Sequence, residues 1–188
     1  MHRKRGREMN ESTERKLRIA YGKLISKGAE KITVTDLCKK ADVSRATFYI
    51  YYKDIDEYAE AVGKHIILQV YAQAKELMCC SDADFPKLLK RENLLFDDYE
   101  VKILESMLSG SNYLTYATLS RVYYVPEENN SPFTAYAWEN YRDEIDLFSR
   151  GYLIILIMGL INYDETSFRS DMRNCRSYYK TLCERFKK

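Results

Sequence analysis

Residues 33–54, which read TVTDLCKKADVSRATFYIYYKD, decide the fold. Thr33 and Ser44 are both residues of the kind that caps a helix N-terminus, because their hydroxyls accept a backbone N–H. The first predicted helix ends at Ala41, and only two residues separate it from Ser44. Asp42 lies in this turn and tolerates the left-handed conformation better than most residues do. Two short helices joined by so tight a turn predict a helix-turn-helix.

The flanking sequence extends this motif on both sides. Residues 11–27 have apolar positions at spacings of three and four and are followed by Gly28, which predicts an amphipathic helix with a glycine stop. Asp54 is expected to cap a long helix with one apolar stripe, formed by Ala59, Val62, Ile66, Val70, Ala74 and Leu77. We therefore predict a three-helix head over residues 1–54 and a second domain, the body, over residues 55–188.

The body also has a helical pattern. The 188 residues include 7 Gly and 3 Pro, too few for the many tight turns of a β-sandwich or barrel. Hydrophobic periodicity predicts further helices over residues 85–95, 99–108, 113–125, 138–162 and 165–186. The predicted fold class is all-α, with about nine helices.

Charge is distributed unevenly between the two parts. Residues 1–53 contain 14 basic and 6 acidic residues, a net charge of +8, whereas the rest of the chain contains 16 basic and 22 acidic residues, a net charge of −6. A basic head on an acidic body indicates that the head meets a polyanion, and the alternative is a chance imbalance of solvated charge.

Residues 33–54 resemble the DNA-binding signature of the TetR family of transcriptional regulators, with the Ala-x-Val-Ser and Thr-Phe-Tyr blocks at the family's spacing. The resemblance covers about the first third of the chain. It implies a homodimeric repressor on a palindromic operator of double-stranded DNA, with a helical body that dimerises and can hold a small-molecule effector. Two positions depart from the family pattern. Asp42 replaces the usual turn glycine, and Ile55 replaces a common lysine, for which Lys53 is the alternative phosphate contact.

The residues of the second short helix have side chains suited to DNA. Arg45 can bind guanine O6 and N7 with two hydrogen bonds, and Ala46 is small enough for close approach. Tyr49 carries a phenol suited to phosphate oxygens, and the N–H groups at the start of the first helix favour an anion. The predicted DNA-binding residues are Thr33, Thr35, Ser44, Arg45, Ala46, Thr47, Tyr49, Tyr51 and Lys53, with Arg3, Lys4 and Arg5 following the backbone or entering a minor groove.

The last two predicted helices have apolar residues on more than one side, so each needs more than one partner. We expect a two-fold interface there, and the alternative is that these residues fill the core of a single chain. The predicted interface residues are Phe148, Tyr152, Ile155, Gly159, Met172, Cys175, Tyr179 and Leu182.

Other functions find little support in the sequence. There is no P-loop, nucleophile elbow or paired-histidine motif, so neither an enzyme nor a cofactor or metal site is expected. The five cysteines lack the spacing of a disulfide framework or a zinc site. Without a secretory signal or a bilayer-length apolar run, a cytoplasmic protein without membrane attachment is expected. The competing function is a protein-interaction adaptor that retains the helix-turn-helix as a scaffold.

Overall fold

A computed structural model describes residues 10–28, 31–91, 94–108 and 133–186. These residues contain nine helices and no β-strand, so the fold is all-α as predicted. The helices are α1 Glu11–Ile25, α2 Val34–Ala41, α3 Arg45–Tyr51, α4 Ile55–Cys79, α5 Phe85–Leu88, α6 Asp98–Leu108, α7 Ala135–Asn140, α8 Arg142–Ile161 and α9 Glu165–Arg185.

Two of the predicted helices differ from the observed ones, and a third cannot be compared with the structure. The helix expected over residues 85–95 is the single turn α5. The helix expected over residues 138–162 is two helices, because the backbone of Tyr141 leaves the helical region at φ −135° and ψ 35°. Thr134 caps the first of these, since its hydroxyl accepts the N–H of Ala137 at 3.2 Å. The helix predicted over residues 113–125 lies outside the described residues.

The described residues form two compact units, divided along the chain after His65 and after Phe96. The first unit contains α1–α3, the beginning of α4, and α6. The second contains the rest of α4 with α5 and α7–α9. The compact first unit thus extends beyond the boundary predicted after Asp54.

Aromatic rings form the centre of the first unit. Tyr58 is fully buried, and its ring centroid lies 5.5 Å from that of Tyr21, 5.7 Å from Phe48 and 5.0 Å from Tyr52. Burial, with the charge of Asp56, raises the pKa of Tyr21 to about 12. These contacts explain why the beginning of α4 belongs to the first unit.

Helices α1 and α6 make a close contact in the first unit. A Cβ atom at Gly22 would lie 2.8 Å from both the Cβ and the carbonyl oxygen of Tyr99. The Arg18 guanidinium lies 3.1 Å from Glu14 and 3.7 Å from the buried Glu100. The absence of a side chain at Gly22 and the ion pair between Arg18 and Glu100 allow the two helices to approach.

We expect Gly22→Ala to destabilise the first unit by about 1–3 kcal/mol, because the added methyl group meets backbone that cannot move aside as a side chain would. Lys16→Ala, on the exposed side of the same helix, is the matched control and should be nearly neutral. Urea unfolding monitored by circular dichroism measures both changes. Equal stability of the two variants would show that α1 and α6 do not approach so closely.

Buried Arg176 connects the end of α4 to α9 in the second unit. Its guanidinium donates to the carbonyl oxygen of Leu77 at 2.6 Å, to that of Cys80, and to Asp82 Oδ1 at 3.1 Å. It also lies 4.6 Å from the ring centroid of Phe85. One side chain thus binds the carbonyl group of Leu77, in the last turn of α4 where intrahelical partners run out, and that of Cys80 just after the helix.

None of the helices in the described part of the chain has the length and apolar character required to cross a bilayer.

Candidate nucleic-acid interface

The segment from α2 to α3 has the predicted turn geometry. Asp42 adopts the left-handed conformation, at φ 54° and ψ 50°. The N–H of Val43 donates to the carbonyl oxygen of Cys38 at 3.0 Å, which closes the end of α2. Two short helices therefore follow each other across a three-residue turn.

Both predicted N-caps are formed. The Thr33 hydroxyl accepts the N–H of Asp36 at 3.1 Å and donates to the Asp36 carboxylate at 2.6 Å. The Ser44 hydroxyl accepts the N–H of Thr47 at 3.0 Å, and the two hydroxyls lie 2.8 Å apart. Thr33, Ser44 and Thr47 thus have local partners that occupy their hydroxyls. The Asp36 carboxylate also places a negative charge at the start of α2, which opposes a phosphate there.

Helix α3 turns one side to the core and another to solvent. Phe48 is fully buried, whereas Arg45 and Ala46 are exposed, Tyr49 is 41% exposed and Ile50 is 65% exposed. These four exposed residues are called the α3 face below. Thr47 and Tyr51 are half-buried, and Thr35 is exposed on α2. Sequence reasoning missed Ile50, although its position four residues after Ala46 places it on the same side of the helix.

Basic side chains lie near the α3 face in sequence. Lys39 and Lys40 are exposed in the last turn of α2, and sequence reasoning did not include them. The Lys53 side chain is 86% exposed and lies 3.4 Å from Asp54. So exposed an ion pair contributes little, and Lys53 can exchange it for a phosphate. The other predicted basic contacts, Arg3, Lys4 and Arg5, lie outside the described residues.

The start of α4 has Ile55 at the position where a lysine contact to phosphate is common. The Asp54 carboxylate accepts the N–H of Glu57 at 2.9 Å, and this hydrogen bond is the main reason that the pKa of Asp54 is lowered. Ile55 is the first residue of α4 and is half-buried. Lys53 is therefore the cation nearest to this cap in the sequence.

Most of the residues predicted at the dimer interface lie inside the second unit. Phe148, Tyr152, Met172, Cys175 and Leu182 are buried there, and Tyr179 is half-buried. The Tyr152 hydroxyl donates to the carbonyl oxygen of Ala74 at 3.3 Å. These side chains form the core of one chain, which was the alternative considered from the sequence.

Gly159 also has an intramolecular role. A Cβ atom there would lie 2.5 Å from Cδ2 of Phe168, so the glycine accommodates the ring of α9. Of the eight predicted interface residues, Ile155 is the most exposed, at 39%. Gly159, predicted at the subunit interface, thus packs against a neighbouring helix of the same chain.

Another side of α8 is exposed and apolar. Leu147 is 76% exposed, Ile154 44% and Met158 46%, and Gly151 lies between them with no atom within 4 Å of a Cβ placed there. Their spacings of four, three and four residues place them along one side of the helix, which we call the α8 stripe. Ile155 lies beside the stripe and lines a groove of about 350 Å³ between α8 and α9.

His65 and Asp97 have side chains of the kinds that act in acid–base catalysis, but their contacts here are structural. His65 is half-buried, and burial, followed by the charge of Arg18, lowers its pKa. Asp97 accepts the N–H groups of Tyr99 and Glu100, both at 3.0 Å, at the start of α6. Among the described residues, no group of three or more His, Cys, Asp or Glu side chains is arranged to hold a metal ion.

Comparison with models of protein families, with curated proteins and with solved structures finds no match to this chain.

Proposed function

We propose that the protein is a sequence-specific regulator of transcription that binds double-stranded DNA as a homodimer. The observation that carries the proposal is the α3 face. A capped helix that rests on buried Phe48 presents Arg45 at its first turn, within a segment of net charge +8. The resemblance of residues 33–54 to the TetR signature supports the same function.

The chemistry of the α3 face suits the major groove. A seven-residue helix fits a groove about 12 Å wide with its N-terminal residues toward the bases. Arg45 then donates two hydrogen bonds to guanine, and Ala46 allows close approach. Cations for the phosphates come from lysines that flank α3 in the sequence, namely Lys39 and Lys40 before it and Lys53 after it.

A second copy of the chain is the partner that we propose for the α8 stripe. One short helix reads too few base pairs to select a site in a genome, whereas two α3 helices related by two-fold symmetry read an inverted repeat. Gly151 leaves space for close approach of another helix, and the flanking apolar side chains lose water on contact. A dimer bound to such an inverted repeat at a promoter represses transcription. A small-molecule effector bound by the helical body would release the dimer from the DNA.

The exposed stripe also favours a second candidate, a protein-interaction adaptor that docks another protein on α8. The two candidates differ in their electrostatics. An operator-binding protein releases counterions from phosphates and loses affinity steeply as salt rises, whereas an adaptor shows little salt dependence.

Arg45→Ala should cost about 1–3 kcal/mol in binding to a selected site and leave binding to random DNA nearly unchanged, because the lost contact is to a base. Lys39→Ala is the matched control and should weaken binding to both DNAs alike, since a phosphate contact has no sequence preference. Fluorescence anisotropy titrations at one salt concentration compare the variants. Equal loss of affinity on both DNAs for Arg45→Ala would remove this side chain from base recognition.

A further inference from the structure

Ile50 is unusual among the residues of the α3 face. It is a β-branched apolar side chain, 65% exposed, one helical turn beyond the small residue Ala46. Single exposed apolar residues are common on protein surfaces and by themselves carry no meaning. This one lies on the helix proposed to enter DNA, on the side that carries Ala46 and about 140° around the axis from Arg45.

The major groove offers few apolar partners. Base edges there present hydrogen-bond donors and acceptors, and the apolar group among them is the C5 methyl of thymine. An isoleucine placed against donors or acceptors would remove water from them without supplying a hydrogen bond, which costs free energy. We propose that Ile50 reads a thymine methyl group in each half-site. This inference rests on the proposed function, in that α3 must enter the major groove.

The helix geometry gives the expected spacing of the contacted bases. Ile50 lies five positions after Arg45, and a rise of 1.5 Å per residue places their Cα atoms about 7.5 Å apart along the axis. Base pairs follow each other at about 3.4 Å, so this separation corresponds to about two base-pair steps. Each half-site is therefore expected to contain a guanine read by Arg45 and a thymine about two base pairs away.

Deoxyuridine tests the contact because it differs from thymidine by the C5 methyl alone. In the duplex selected by the wild-type protein, deoxyuridine replaces one thymidine at a time. Each replacement is made at the equivalent position of both half-sites. At one position the wild-type affinity should fall by about fourfold per half-site, the equivalent of about 0.8 kcal/mol for a buried methyl-sized group. Ile50→Ala should bind the thymine and deoxyuridine duplexes equally, whereas the control Tyr49→Phe should still distinguish them.

Two results would overturn the inference while leaving the proposed function intact. Wild-type protein that is indifferent to deoxyuridine at every position would show that no thymine methyl is read. An Ile50→Ala variant that still distinguishes the two duplexes would assign the methyl contact to another residue. If the wild-type protein selects no sequence at all, the proposed function fails and this inference fails with it. Because Ile50 is exposed, circular dichroism should show the variant folded like the wild type.

Discussion

Arg176→Met should destabilise the second unit by about 3 kcal/mol, because it removes the donors that satisfy buried carbonyl oxygens at the end of α4. Methionine keeps much of the side chain's volume and flexibility, so lost packing contributes little. The main cost is that the Leu77 and Cys80 carbonyl groups lose the hydrogen bonds from the guanidinium while staying largely out of water. Chemical denaturation monitored by far-ultraviolet circular dichroism gives the free energy of unfolding.

Two control variants separate this effect from a general effect of charge. Arg173→Met removes an exposed guanidinium three residues earlier on α9 and should change stability by less than about 0.5 kcal/mol. Asp82→Asn removes the exposed carboxylate that pairs with Arg176 and Lys180, and should cost at most about 1 kcal/mol. A loss at Arg176 no greater than that at Arg173 would show that the guanidinium does not stabilise the end of α4.

Ile154→Glu should convert the proposed dimer to a monomer, because a carboxylate on the α8 stripe would have to be buried without a partner in the interface. Since Ile154 is 44% exposed in the single chain, the substitution should leave the chain folded. Binding to a palindromic site should fall by about a thousandfold toward the non-specific level, whereas binding to random DNA should change far less. Sedimentation equilibrium measures assembly, and anisotropy measures binding.

Ser170→Glu places the same charge at an exposed position of α9 away from the stripe and is the matched control. It should remain dimeric and keep its specific affinity. A dimer that is unchanged by Ile154→Glu would show that subunits do not meet through the α8 stripe. A monomer that retains full specific affinity would show that dimerisation is not needed to read the site.

Local signals in the sequence were sufficient for the first three helices. Thr33 and Ser44 cap the helices predicted for them, and Asp42 takes the left-handed conformation expected in the turn. Each of these features depends on residues within a few positions along the chain, where side-chain hydrogen bonds and backbone sterics determine the geometry. The all-helical class followed in the same way from periodicity and from the scarcity of glycine and proline.

Contacts between distant residues could not be predicted in this way. The periodicity of α9 does not show that Arg176 is buried, because its partners lie nearly a hundred residues earlier. The same holds for Gly22, which packs on Tyr99 of a helix much later in the chain. An apolar stripe shows that a helix needs a partner, but the identity of that partner depends on tertiary packing. The interface predicted from α8 and α9 therefore included residues that belong to the core of one chain.

Selection of bound fragments from random double-stranded DNA by the purified full-length protein tests the central claim most directly, provided that the selected duplex is then titrated at several salt concentrations. We predict an imperfect inverted repeat, with half-site centres about 34–36 Å apart or a multiple of that distance. The logarithm of the affinity for this duplex should fall steeply and linearly with the logarithm of salt concentration, with a slope of about −0.9 for each phosphate contacted. Recovery of no preferred sequence, together with binding that hardly changes with salt, would contradict DNA recognition and favour the adaptor.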